Sequence, residues 1–290
     1  MAKARAITKR RKAVQNVRKI TQTMQLVATA RYAKCYERAM ASKPYTAKIT
    51  EMIETLSEAE IEHPLLAPSG VKKTALLVLT SNRGFCGSYN ANVLRPALEH
   101  RRRLAADGFD VAVDMVGKKG VRYLRFLGQP LRDSLTDVED KIAYARVAAL
   151  AKRYMKDYET GQVGRVEVAY MKFTSVGVQR PLIEQLLPIA PPRREPAPDA
   201  PKQARADFEF SPPPAELLAR LIPETVKIRL YQYFNDAIVS EQVARMVAMK
   251  SATDAAGDMI KFLTRQYNRA RQSQITLELA DIVGGAAAVE

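Results

Sequence analysis

Each end of the chain repeats apolar residues at helical spacing and leaves the rest of its surface polar. Before the first proline, Pro44, the stripe is Ile7, Val14, Val17, Ile20, Met24 and Val27, at steps of three, four and seven. After the last proline, Pro223, the residues Met246, Met249, Thr253, Ala256, Ile260, Leu263, Tyr267 and Ala270 alternate steps of three and four. Two apolar positions in seven make a coiled-coil seam, narrower than the stripe of a globular helix. A helix of about sixty residues runs about 90 Å, against a domain radius of ~13–20 Å. Neither end is able to bury its length in its own domain. The simplest arrangement pairs the two ends antiparallel, and the small members Thr253, Ala256 and Ala270 imply close approach.

Between the ends the pattern changes. Thr74–Thr80, Val111–Val116 and Val166–Phe173 are short runs rich in apolar and β-branched residues. Helical stretches over about 90–106, 119–127 and 138–158 separate or follow them. Strands alternating with helices imply a Rossmann-like α/β unit with a largely parallel sheet. From Pro188 to Pro214 there are nine prolines, which marks an extended connection. The expected divisions are therefore an N-terminal coiled-coil helix over 1–60, an α/β domain over 70–190, a proline-rich connection over 191–223, and a C-terminal coiled-coil helix over 224–290. The fold class expected is α/β plus a long antiparallel coiled coil.

The charge follows these divisions. The whole chain carries 46 Lys and Arg against 31 acids, a net +15. Residues 1–43 hold twelve basic side chains and one acid, Glu37, whereas residues 224–290 are neutral. A basic arm is able to bind nucleic acid. No aromatic platforms interleave its charges, so a solvated face meeting acidic protein surfaces is the other reading, and the residues leave both open. Aromatics are only 7% and Trp is absent, as suits slender helices. No run approaches the ~18 apolar residues of a membrane helix. The opening residues lack the apolar core of a secretory signal, and a transit peptide is disfavoured because the helical pattern runs on past residue 20. The chain is expected to be soluble, reaching a membrane through a partner.

Candidate chemistry is sparse. Two His residues, His63 and His100, leave little for a His-based metal site, and Cys35 and Cys86 are too few for a disulfide framework. No G-x-x-x-x-G-K-[ST] or G-x-G-x-x-G motif is present. The turn Ser81-Asn82-Arg83-Gly84-Phe85-Cys86-Gly87-Ser88 opens a helix and would offer an anion its amides. The plainer reading is a tight turn whose glycines supply backbone freedom. Asp137, Glu139 and Asp140 are read as helix-start acids suited to the dipole. No catalytic constellation, cofactor site or metal site emerges. The chain reads as an interaction or mechanical part.

Several segments resemble the gamma-subunit family of rotary proton-translocating ATP synthases. Residues 20–28, ITQTMQLVA, are similar to the family's "KIT.AM..VA", and Asn82-Arg83-Gly84-Phe85-Cys86-Gly87 resembles "DRGLCG". Residues 240–249, SEQVARMVAM, resemble "SEQ.ARM.AM", and residues 267–276, YNRARQSQIT, resemble "YN..RQ..IT". The matches are ordered and span the chain. Asn82 departs from the family's usual Asp, and Ser88 from a common Gly.

The resemblance implies a central-stalk rotor that carries torque between a proton-driven c-ring and a hexamer of alpha and beta subunits, coupling proton flow to ATP synthesis. It implies an epsilon-subunit partner, no nucleic acid, no inserted membrane segment, and no catalytic site of its own. It places the complex at the cytoplasmic face of a bacterial inner membrane. By the same resemblance Met24, Arg245, Gln272 and Thr276 match coupling or hexamer-contact positions, and Asn82, Arg83, Gly84 and Gly87 match the family's α/β-domain turn. The small, uncharged end Val283–Val289 suits a low-specificity contact.

Overall fold

The computed structural model describes residues 2–56, 63–189 and 214–287, and divides into two units. One comprises 31–244, the other 1–30 together with 245–290. Two helices belong to both by chain continuity: α1 (Ala2–Leu56) and α5 (Pro214–Ala287).

In the 31–244 unit a five-stranded sheet runs in the order β3-β2-β1-β4-β5. The elements are β1 (Lys73–Leu79), α2 (Tyr89–Ala106), β2 (Asp110–Val116), α3 (Lys118–Phe126), β3 (Asp133–Leu135), α4 (Tyr144–Glu159), β4 (Arg165–Phe173) and β5 (Gln179–Leu187). The pairs β1–β2, β1–β4 and β2–β3 are parallel, and β5 adds an antiparallel edge to β4. Strand alternation sorts β1 into two cores. Leu76 and Val78 face α2 and α3 with Val93, Leu94, Val121 and Leu124. Ala75, Leu77 and Leu79 face α4 and the 31–56 and 214–244 parts of α1 and α5.

Three sequence expectations are corrected in this unit. The C-terminal helix begins at Pro214, so residues 214–223, assigned to the connection, are helical. Pro214 sits at the first helical position, where its missing N–H costs nothing. Pro223 lies inside the helix because burial of Ile222 and Val226 outweighs the ~3 kcal/mol a helical proline costs. Pro44 is likewise inside α1, flanked by buried Ala39 and Ile49. Second, α4 starts at Tyr144, so Asp137, Glu139 and Asp140 lie in the preceding loop. Asp137 pairs with Arg146 at 2.5 Å instead of capping a helix. Third, β3 and β5 were not anticipated. The first is three residues long, and the second carries Pro181 on an edge, where no ladder hydrogen bond is lost. The connection residues 190–213 lie outside the described residues.

One polar cluster is embedded in this sheet. Asp114 on β2 has no exposed surface, and its Oδ1 accepts from Arg132 Nε at 2.9 Å. Its Oδ2 accepts from Arg132 Nη2 at 2.5 Å and from the Tyr154 hydroxyl at 2.7 Å. Arg153 Nη2 lies 3.4 Å from the same oxygen, and Arg153 Nη1 donates to Asp133 of β3.

In the other unit, residues 2–30 and 245–287 pair antiparallel. Thr253 Oγ1 donates to Thr21 Oγ1 at 2.8 Å, and the Arg11 guanidinium lies over the Tyr267 ring at 5.3 Å. The lower number on α1 thus meets the higher one on α5. The inward positions of α5 are the expected ones, with Met249, Ala256 and Leu263 buried. Those of α1 differ. The residues turned inward are Ala4, Ile7, Arg11, Val14, Thr21, Gln25 and Ala28, a 3-4 alternation, whereas Val17, Ile20 and Val27 are exposed. Close approach at Thr21 and Ala28 selects small side chains for the seam and turns the branched ones outward.

Candidate functional site

The turn after β1 is built by interlock with α3. Lys118 N–H donates to Asn82 Oδ1 at 3.0 Å, Lys119 N–H to the Ser81 carbonyl at 3.1 Å, and Gly120 N–H to Thr80 Oγ1 at 3.0 Å. These are the first amides of α3, and the protein's own turn occupies them; the helix that the turn itself opens is α2, whose Tyr89 N–H donates to the Cys86 carbonyl at 3.2 Å. A cleft of about 600 Å³ adjoins the turn. Its charged lining is Arg31, Arg83, Lys118 and Lys141 against Asp137, Glu139, Asp140 and Glu241, an even balance that gives no attraction for an anion.

The residues of the turn serve different ends. Asn82 is half-buried and its Nδ2 donates to the Val138 carbonyl at 2.5 Å, so one amide staples the turn to both α3 and the 136–141 loop. Arg83 is exposed. Gly87 has φ +56°, as the tight-turn reading expects, but Gly84 does not have a positive φ. Phe85 takes the second left-handed position, at φ +62°, with its ring exposed. Cys86 is buried among Ser81 and Asn90 and serves packing.

The double role of Asn82 yields a prediction. Asn82→Asp, the family's usual residue, keeps the acceptor for Lys118 and loses the donor to Val138. At pH 7 a carboxylate then faces a carbonyl, and the loss is about 1–2 kcal/mol. The carbonyl raises the new carboxyl's folded pKa, so protonation restores a donor and the loss shrinks as pH falls through that value. Urea denaturation of both proteins at neutral and acid pH tests this; a gap that widens on acidification contradicts it.

In the coiled-coil unit, Met24 is half-buried beside the inward Gln25, and Arg245 is buried. Gln272 and Thr276 are exposed, and the Thr276 hydroxyl donates to the Gln272 carbonyl at 3.0 Å, so the two share one outward face. The structure brings Gln272 and Thr276 together and gives Met24 a separate position beside the seam. Sequence reasoning missed Thr21, which pairs with Thr253, and the exposed apolar residues Ile20, Leu26 and Val27 on α1 and Phe262, Ile275 and Leu277 on α5. Ile20 is 59% and Leu26 65% exposed, unusual for apolar side chains on a paired helix. Their clash with a strict 3-4 repeat starting at Ile7 was the available signal.

Among the described residues, no group of His, Cys, Asp and Glu is placed to hold a metal, and no helix is long and apolar enough to cross a membrane.

Comparison with known proteins gives this architecture a family. A family model described as ATP synthase matches residues 3–289. The chain is 46% identical over 295 residues to the ATP synthase gamma chain of Rhodopirellula baltica, and 39% identical over 293 residues to that of Dehalococcoides mccartyi, each with full coverage of both chains. In fold it resembles a chain of the Euglena gracilis mitochondrial ATP synthase, solved as an OSCP/F1/c-ring assembly, with a TM-score of 0.70 at 16% identity, covering 99% of this chain and 95% of that one. A chain of the rotor of the same enzyme matches with a TM-score of 0.66 at 17% identity, covering 94% and 99%. Matched from end to end by the family model and by both relatives, the chain belongs to the ATP synthase gamma-chain family.

Proposed function

We propose that this chain is the central-stalk rotor subunit of an ATP synthase, carrying torque between a proton-driven c-ring and a catalytic hexamer of alpha and beta subunits. The observation that carries this reading is the coiled-coil unit, whose paired helices bury Thr21, Ala28, Ala256 and Leu263 and turn Ile20, Leu26, Phe262 and Leu277 outward. Apolar side chains spaced along a two-helix rod need an enclosing partner, and a hexameric sleeve supplies one. The basic residues of 1–43 then meet acidic surfaces of that sleeve, where long, screened attractions hold without locking.

In this reading the chain has no catalytic site of its own. The epsilon subunit is a further partner of the α/β domain, and the complex sits at the cytoplasmic face of a bacterial inner membrane without an inserted segment from this chain. Met24, Gln272 and Thr276 contact the hexamer during rotation, whereas Arg245, only 7% exposed, is covered by this chain's own residues. The self-filled start of α3 agrees with nucleotide being bound elsewhere in the complex.

Two measurements test this. The chain, expressed with its alpha and beta subunits, co-purifies with them; failure to do so overturns the rotor reading. Met24→Lys places a charge at a half-buried position against the sleeve. ATP synthesis in the reconstituted enzyme falls about tenfold or more, the rate equivalent of ~1.4 kcal/mol, while hydrolysis persists. Retained coupling removes the Met24 role and leaves family membership intact.

A further inference from the structure

We infer that Asp140 is the residue by which the α/β domain grips both terminal helices, and so a positioning residue for torque transfer; this rests on the rotor reading. Its Oδ2 accepts from Arg31 Nη1 at 2.6 Å, and its Oδ1 accepts from Gln242 Nε2 at 2.8 Å. Its backbone carbonyl accepts from Arg38 Nη1 at 3.1 Å, with Cys35 Sγ at 3.6 Å. Arg31, Cys35 and Arg38 stand four and three residues apart, one face of α1. Gln242 is a fully buried residue of α5. One loop residue therefore binds both helices, and all these groups lie within the 31–244 unit.

The loop is itself held to the sheet. Asn82, in the turn after β1, donates to the carbonyl of Val138, two residues before Asp140. A polar path thus runs from the β1 turn through Val138 and Asp140 to α1 and α5. The apolar core beside it adds adhesion, but burial is non-directional and tolerates small rotations of a helix about its axis. Hydrogen bonds weaken steeply off their geometry, and charge-assisted ones hold it more strongly. Two helices bonded to opposite oxygens of one carboxylate resist turning independently of the domain. Other bonds reach α5 alone, as from the Tyr89 hydroxyl to the Ala237 carbonyl at 3.1 Å.

The Arg31 and Asp140 side chains are 36% and 35% exposed. Such a pair adds little static stability, so its effect belongs to stiffness under load. That separates a gripping role from a purely structural one.

The test uses the complete ATP synthase in sealed vesicles. With Asp140→Ala, ATP hydrolysis in the presence of an uncoupler stays near that of the unaltered enzyme. The steepest proton gradient that hydrolysis sustains falls about twofold or more, as a directional network of this kind is lost. Asp140→Glu, which keeps both oxygens, recovers part of the gradient. If Asp140→Ala does not assemble, Arg31→Gln opens only the α1 arm at a half-exposed position and lowers the gradient on its own. An assembled variant with an unchanged gradient overturns the proposal, as does an equal fall in uncoupled hydrolysis. An enzyme assembled without this chain that still sustains the gradient overturns the rotor reading instead.

Discussion

Asp114→Ala destabilises the α/β domain by about 3–5 kcal/mol, the usual cost of removing one partner from a buried ion pair. For a unit of this size that corresponds to a fall in Tm of roughly 10 °C. The magnitude follows from what the carboxylate satisfies. Asp114 has no exposed surface and accepts from two positions of Arg132 and from the Tyr154 hydroxyl, with Arg153 close by. Its loss leaves the buried Tyr154 phenol without its acceptor and two guanidinium groups held only by Asp157 and Asp133. The hydrogen bond to Asp114 holds the Arg132 guanidinium above its ordinary pKa, and burial, then Asp114, pushes the Tyr154 phenol up. Thermal or urea denaturation measures the effect. A loss below about 1 kcal/mol would place the cluster among the surface pairs.

The same cluster gives the domain an acid-sensitive side. A hydrogen bond from Arg153 holds the Asp133 carboxyl below its ordinary value. Its contribution is therefore present above the unfolded carboxyl pKa and is lost as pH falls through the lower folded value. Because Asp133 pairs with Asp114 across β2 and β3, the short third strand loosens first on that side.

Gly117→Ala has an effect of similar size for a different reason. Gly117 adopts φ +95°, and a Cβ there would stand 2.3 Å from the Thr80 carbonyl oxygen and 2.8 Å from that of Ser81. Both are backbone atoms, so no side chain is able to swing aside. The expected cost is roughly 2–4 kcal/mol, strain and displacement together. The control is Gly108→Ala, where φ is +81° but nothing lies within 4 Å. There only the conformational term applies, about 1–2 kcal/mol. Equal losses at the two glycines in chemical denaturation would mean that the contact with Thr80 and Ser81 gives way easily.

The terminal helices and the alternating middle were legible because periodicity reports which face is buried. The α5 seam from Met246 to Ala270 was read residue by residue. The α1 seam was not: Val17, Ile20 and Val27 look like core by hydropathy, whereas Thr21 and Arg11 do not. Paired helices choose seam residues by the space between them, which a single strand of sequence does not reveal. Pro223 misled for a related reason, since local propensity favours a break and tertiary burial of Ile222 and Val226 overrides it. The turn at 81–88 was legible from its glycines between a strand and a helix. What it holds was invisible, because Asn82, Lys118 and Val138 are brought together only by the parallel crossing of β1 and β2. Asp140 was hidden likewise: a carboxylate just before a helix reads as a cap until both long helices are seen to reach it.

The hydroxyl pair of Thr21 and Thr253 has a consequence for sliding. The inward face of α1 repeats every seven residues, so apolar packing alone is nearly indifferent to a shift by one repeat. Such a shift sets Thr253 against Val14 or Ala28, and its bond to the opposite helix disappears. A polar residue within a seam is a known way to fix axial alignment. The pair acts as a detent: it adds little to adhesion between the helices, yet it makes one alignment distinguishable from its neighbours.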